Sequence, residues 1–285
     1  MVLVGSCLGK VCSVLGNKPH SLYIRGIINH KSIKMRKLFT ILVLSFTFTL
    51  SAQSNPNWEY WISGKVEVKR GMSGDFEKAA AQKTKKYNNS AETAISTYKI
   101  MDGPDQGKYE RIQGYKDIGW FNSNMSSNAG TQYWMKNVSQ YVENYEGRKV
   151  WLRIKNLSHN WDQESAPKKH ILKSIRIIKP RKTSDFWRFA NRIAQVYKEH
   201  NYTGVKGVFK IASGGNENEI IFVDAFDDFT NQGKFPDTDK SLKELYNEMY
   251  NGSYYKDLEI YNEAIEMWGR QKERMTLVPE LTTQL

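Results

Sequence analysis

Between Thr183 and Glu199 the apolar positions are Phe186, Phe189, Ala190, Ile193, Ala194 and Tyr197. Their spacing of i, i+3, i+4, i+7, i+8, i+11 is one continuous helical stripe. Thr183, Ser184 or Asp185 is placed to cap its start. A weaker stripe in the same phase runs through 73–87, with Phe76, Ala79, Ala80 and Tyr87, interrupted by Lys83 and Thr84. Asp75-Phe76 and Tyr87 recur as Asp185-Phe186 and Tyr197, each 110 positions later.

The echo continues beyond the helices. "TYKIMDGPDQGKYERIQGYKD" (97–117) aligns with "VFKIASGGNENEIIFVDAFDD" (208–228), matching Ile100 with Ile211, Gly103 with Gly214 and Asp117 with Asp228. Each stretch predicts a β-hairpin, with turns at 102–105 and 213–216. "SGKVEVKRG" (63–71) and "LKSIRIIKP" (172–180) predict the strands that open the two halves. Helices are expected at 130–146, at 239–250 and at 254–268, two of them stopped by Gly147 and Gly269. They lead into final strands, "KVWLRIKNL" and "QKERMTLVPEL". The order in each half is β-α-β-β-α-β, the ferredoxin-like unit. The expectation is therefore an α+β protein of two tandem ferredoxin-like repeats, 53–157 and 171–285, joined by a polar linker at 158–170.

Two such units in one chain resemble the dimeric α/β-barrel superfamily in its fused, single-chain form. That resemblance implies facing antiparallel sheets with helices outside, a pseudo-two-fold α/β barrel. It carries fold better than function.

The front of the chain reads differently. Arg36 and Lys37 follow Met35, a largely apolar run spans Leu38 to Leu50, and Ser51-Ala52 supplies small residues. This is the order of a secretory signal peptide at 35–52, and the run is short for a membrane span. A short membrane anchor is the competing reading. Residues 1–34 read as an upstream extension, with Met35 the initiator, or as part of a long n-region. The "SAQ" ending resembles leaders of Bacteroidetes-type bacteria and implies a periplasmic or secreted protein, with no stable membrane span once the leader is cleaved.

Composition changes once this front is set aside. The net charge of +12 falls to +5, because residues 1–52 carry seven Lys/Arg and no Asp/Glu. That is no argument for nucleic acid as a partner. Cys7 and Cys12 are the only cysteines, so 53–285 has neither a disulfide nor a thiolate nucleophile nor a Cys-based metal site. No phosphate loop, GxSxG, HExxH or GxGxxG occurs. Asp224, Asp227 and Asp228 offer a cation site, but Asp227 and Asp228 read first as a strand end or a helix cap.

Candidate chemistry comes from strand alternation. Small or apolar Ile112, Gly114, Val223 and Ala225 are assigned to the helix-packed face. Tyr109, Arg111, Gln113 and Asp224 then fall on the other face, and in the last strands Trp151, Arg153 and Arg274 do the same. These predict an inter-sheet pocket for a small molecule. Asp224 and Arg111 would be catalytic, as base and anion holder; Arg153, Arg274, Gln113, Tyr109 and Trp151 would bind ligand. The blander reading makes them inter-sheet salt bridges, Asp224 with an Arg. By resemblance the activity would be that of a cofactor-independent monooxygenase. A non-catalytic envelope protein binding a partner or glycan is the alternative, supported by Trp58, Trp61, Trp120 and Trp161 near predicted loops. No metal site is expected, and no cofactor is called for. The resemblance also allows haem held by a single histidine, for which His170 or His200 would serve.

Overall fold

The computed structural model describes residues 58–123, 128–163 and 166–284. The leader at 35–52 and the extension before it lie outside the described residues. The strands are β1 Tyr60–Val68, β2 Ser96–Ile100, β3 Tyr109–Lys116, β4 Val142–Tyr145, β5 Lys149–Arg153, β6 His170–Ile178, β7 Val205–Ser213, β8 Glu219–Phe226 and β9 Ile265–Leu277. The helices are α1 Ser73–Tyr87, α2 Ala129–Asn137, α3 Thr183–Glu199, α4 Leu242–Met249 and α5 Tyr254–Glu263.

Eight strands close into a ring, in the order β3-β2-β9-β6-β8-β7-β5-β1 and back to β3, and every pairing is antiparallel. β4 pairs with the far end of β1. This corrects the expectation of two tandem ferredoxin-like repeats with facing sheets: the fold is one closed eight-stranded antiparallel barrel with a few helices outside it. The physical reason lies at the edges. Two separate sheets would leave the backbone of β2, β5, β7 and β9 unpaired on one side, and closure removes those edges. β2 bonds to β9 from Tyr98 to Ile100, and β5 bonds to β7 from Val150 to Arg153.

Element ends also differ. The helix expected at 130–146 stops at Asn137, and 142–145 is strand. Gly269 is not a helix stop, since β9 begins at Ile265 and runs through it. No side chain of Thr183, Ser184 or Asp185 caps α3. The preceding turn is instead made by Arg181 at φ 67°, as Gly71 at φ 81° makes it before α1.

The helical stripes pack as their spacing dictates. Phe76 and Ala80 of α1 bury against Tyr109, Val66 and Leu281 on the outer wall. Phe186 and Ala190 of α3 bury against Val208 and Ile220. Its other apolar flank, Phe189 and Val196, meets Leu245 and Tyr246 of α4. The barrel interior has its own core of Tyr98, Trp151, Ile171, Phe209, Val223 and Met275. The barrel wall is thus apolar on both faces. Among the described residues no helix is long and apolar enough to cross a membrane.

Candidate functional site

One end of the barrel interior is a chamber of about 410 Å³ lined by Trp61, Tyr98, Trp151, Trp161, Phe209 and Met275. The aromatic rings interlock edge to face. Trp61 lies 5.5 Å from both Trp161 and Phe209, and Trp161 lies 5.3 Å from Phe209. Two wall glycines make room for the indoles. A Cβ at Gly114 would sit 2.6 Å from the Trp61 ring, and one at Gly207 would sit 2.6 Å from the Trp161 ring. The polar ends of the rings are mostly tied down. Trp61 Nε1 donates to Glu59 at 2.7 Å, Trp151 Nε1 donates to Ser63 Oγ at 3.0 Å, and the Tyr98 hydroxyl donates to the Lys168 carbonyl at 2.9 Å. Trp161 Nε1 is buried with no hydrogen-bond partner among the described residues. An orphan donor on an apolar wall is an open position for a ligand acceptor.

The chamber floor is charged. Lys173 of β6 sits 2.5 Å from Glu110 of β3 and 2.6 Å from Glu273 of β9. Glu273 also holds Lys65 of β1 at 2.8 Å. Lys65 reaches on to Asp105, which Lys108 engages at 2.7 Å. Beyond this plug lies a smaller polar cavity of about 240 Å³, shared by Glu110 and Lys173 with Lys149 and Glu219. Burial alone would raise the Glu110 carboxyl, but Lys173 and Lys65 outweigh it and hold it below the usual carboxylate range. Burial opposes the charge on Lys65 as well, yet Glu110, Glu273 and Asp105 push its ammonium well above the ordinary lysine value. The plug is therefore a set of fixed, paired charges. A carboxylate held ionised this firmly is a poor proton acceptor at neutral pH; it suits anchoring a hydrogen-bond donor.

The sequence-predicted residues do not converge. Trp151 lines the chamber. Arg153, buried nearby, is consumed by Glu59 at 2.8 Å and Asp162 at 2.6 Å. Arg111 and Gln113 line a separate groove on the outer wall. Tyr109 is buried beneath α1, its hydroxyl donating to Glu77. Asp224 lies under α3, paired with Lys206 at 2.6 Å rather than with an arginine. Arg274 is exposed and pairs with Asp102. The expected shared pocket is corrected for a single reason: Ile112, Gly114, Val223 and Ala225 face the interior, so their neighbours face out. Trp61 and Trp161 are likewise interior rather than exposed in loops.

The residues missed are Lys65, Glu110, Lys173 and Glu273. Their trace in the sequence is the inward stripe Ile171, Lys173, Ile175, a lysine spaced by two between isoleucines.

Among the described residues no group of three His, Cys, Asp or Glu is placed to hold a metal. The acidic triplet is accounted for locally. Asp227 accepts from the Lys169 backbone and Lys168, and Asp228 accepts from Thr230. Among the described residues no histidine lines the chamber, so it offers haem no imidazole ligand. His159 contacts the Tyr202 carbonyl at 2.6 Å, His170 lies beside Thr276 and Phe229, and His200 beside Phe235.

No family model matches the chain, and no curated protein matches it. Several solved structures resemble it. One, provisionally described as a monooxygenase from Fusobacterium nucleatum subsp. nucleatum, is 12% identical with a TM-score of 0.49, over 77% of this chain and 92% of that one. Another with the same provisional description, from Lactobacillus acidophilus, is 10% identical with a TM-score of 0.46, over 77% and 93%. A chlorite dismutase from Candidatus Nitrospira defluvii, in complex with imidazole, is 8% identical with a TM-score of 0.45, over 78% and 93%. Likeness at this level transfers neither substrate nor cofactor to this chain.

Proposed function

We propose that the protein binds a small, largely apolar molecule in the barrel chamber and does so outside the cytoplasm. The observation that carries this reading is the chamber itself. An aromatic cavity of about 410 Å³ with a few fixed polar groups at its floor has the size and character of a small-ligand site. The ligand's apolar body would lie among Trp61, Trp161 and Phe209. A polar end would reach Ser63 and Glu110, and an acceptor would meet the Trp161 indole N–H. The leader-like segment at 35–52 supports export, which N-terminal sequencing of the secreted protein tests. Turnover of such a ligand with dioxygen, without a cofactor, is the narrower version of the same reading and is tested by oxygen uptake.

Binding is tested with an uncharged fluorophore such as N-phenyl-1-naphthylamine and with quenching of the chamber tryptophans. Saturable binding is expected for the wild type. It should be lost in Val223→Trp, which fills the chamber, and weakened in the milder Ala225→Leu, with far-UV circular dichroism unchanged. Wild-type affinity in both variants would overturn the assignment.

A further inference from the structure

On the outer wall, bounded by β1, β3, α1 and α2, lies a groove of about 720 Å³ lined by Lys83, Arg111, Gln113, Trp134, Tyr145 and Arg148. Its cations differ from those inside the barrel. Lys65, Lys149, Arg153 and Lys173 each have a carboxylate partner. Among the described residues Lys83, Arg111 and Arg148 take part in no ion pair. The Lys83 ammonium donates to Asn88 Oδ1 at 2.6 Å. The Arg111 guanidinium lies 4.6 Å over the Trp134 ring and donates from Nη2 to Thr84 Oγ1 at 3.1 Å. Its Nε is buried with no partner among the described residues.

Two carboxylates line the same groove. Glu146 is bound by Lys108, and the charge of Glu92 acts on Lys116. Three cations therefore face the groove with no carboxylate committed to them. The burial of two of them shows in the acidity of Lys83 and Arg111. Burial, then Arg111 and Arg148, push Lys83 down to about 8, and burial pushes Arg111 down to about 10. Partly desolvated like charges with an orphan donor are costly unless something of opposite sign joins them. Lys83 and Thr84 are also the two residues that interrupt the apolar stripe of α1: Lys83 lines this groove, and buried Thr84 accepts from Arg111.

We propose that this groove binds an organic oxyanion, its carboxylate, sulfate or phosphate group held by Arg111 and Lys83 with Arg148 at the rim, and its planar body against Trp134 and Tyr145. Trp134 Nε1 donates to the Tyr145 hydroxyl at 2.9 Å, which fixes both rings as a platform. A guanidinium offers the paired donors that an oxyanion fits, and stacking on Trp134 keeps its plane oriented.

The test is calorimetric titration of the purified protein with phenyl phosphate and benzoate, and with inorganic phosphate and sulfate as the bare anions. The aryl anions are expected to bind and to outcompete the inorganic ones. Arg111→Gln and Lys83→Met should each weaken them by at least about 10-fold, the lower range for losing a charge-assisted hydrogen bond. Arg111→Lys should restore part of the loss. Affinity should fall as pH rises through about 8, where Lys83 gives up its proton. Val223→Trp, which fills the barrel chamber, should leave all of this unchanged, so failure here is separable from failure of the chamber reading. Thermal melts establish that the variants are folded. Equal affinity for inorganic and aryl anions would overturn the organic ligand. Unchanged binding in both Arg111→Gln and Lys83→Met, or no binding by any anion, would overturn the site.

Discussion

Replacing Lys173 with methionine tests whether the barrel plug is a network of ionised groups. The side chain is nearly isosteric, so volume changes little. What is lost is the cation between Glu110 and Glu273, which lie 2.5 and 2.6 Å from it and are almost fully buried. Removing one partner of a buried pair costs about 3–5 kcal/mol. Glu273 keeps Lys65 at 2.8 Å, so the lower part of that range applies, about 3–4 kcal/mol. For a domain of this size each kcal/mol moves the melting temperature by about 2–4 °C, giving a fall of about 6–16 °C.

The pH dependence makes the test specific. In the wild type Glu110 is held below its unfolded value, near 4.3 for a free glutamate. Its contribution is therefore present above that value and is lost as pH falls towards the folded one. Without Lys173, burial raises the Glu110 carboxyl, and the sign reverses: the variant is worst at high pH and is relieved as the carboxyl protonates. Melting curves at pH 8, 6.5 and 5 should show the gap between wild type and variant narrowing with acid, and Lys173→Met/Glu110→Gln should recover part of the loss at pH 8. A deficit below about 1 kcal/mol, the range of exposed pairs, or a gap that stays constant with pH, would refute the ionised plug.

Two further outcomes follow from the same geometry. Gly207→Ala places a methyl 2.6 Å from the Trp161 ring, so it should destabilise by about 1–3 kcal/mol as an overpacked site does and weaken fluorophore binding by pushing the indole into the chamber; equal stability and affinity would show that the indole moves freely. Arg274→Ala removes an exposed pair with Asp102 and a cation–π contact with Phe229, so it should cost about 1 kcal/mol or less and leave chamber binding intact, and a loss of ligand affinity in that variant would restore Arg274 as a site residue.

Much of this fold is written in local periodicity, and its closure is not. The stripe of α3 marks Phe186, Phe189 and Ala190 as core because a helix on a barrel has one wet side. The β2–β3 and β7–β8 hairpins are legible because Gly103 and Gly214, at φ 97° and 82°, sit in tight turns between strands. The barrel wall defeats the same reasoning. Strands apolar on both faces lose the contrast that alternation reads, so Ile112 and Val223 look equally suited to either side. Small residues misled for a specific reason: Gly114 is small because Trp61 lies on it, not because a helix does. The plug was hidden by the ordinary expectation that Lys and Glu on strands point to water. Only the partners on β1, β3, β6 and β9, far apart in sequence, turn four charges into a buried network.

Those partners also bear on how the ring closes. Lys173 and Glu273 come from the later part of the chain, Glu110 and Lys65 from the earlier part. Each lysine holds a glutamate from the opposite part: Lys173 with Glu110, and Lys65 with Glu273. The two seams that join the parts, β2 with β9 and β5 with β7, are short. A slip of two residues along a seam would keep every side chain on its face and so cost little in apolar burial. It would also move Glu110 out of line with Lys173 and Lys65 out of line with Glu273, the two pairs that cross between the parts, and leave buried charges without their partners. That misalignment is penalised far more steeply than a displaced isoleucine would be. The plug thus works against misregister in a wall whose apolar residues are interchangeable. The same fixed charges leave the space above them unfilled by the core, and that space is the chamber.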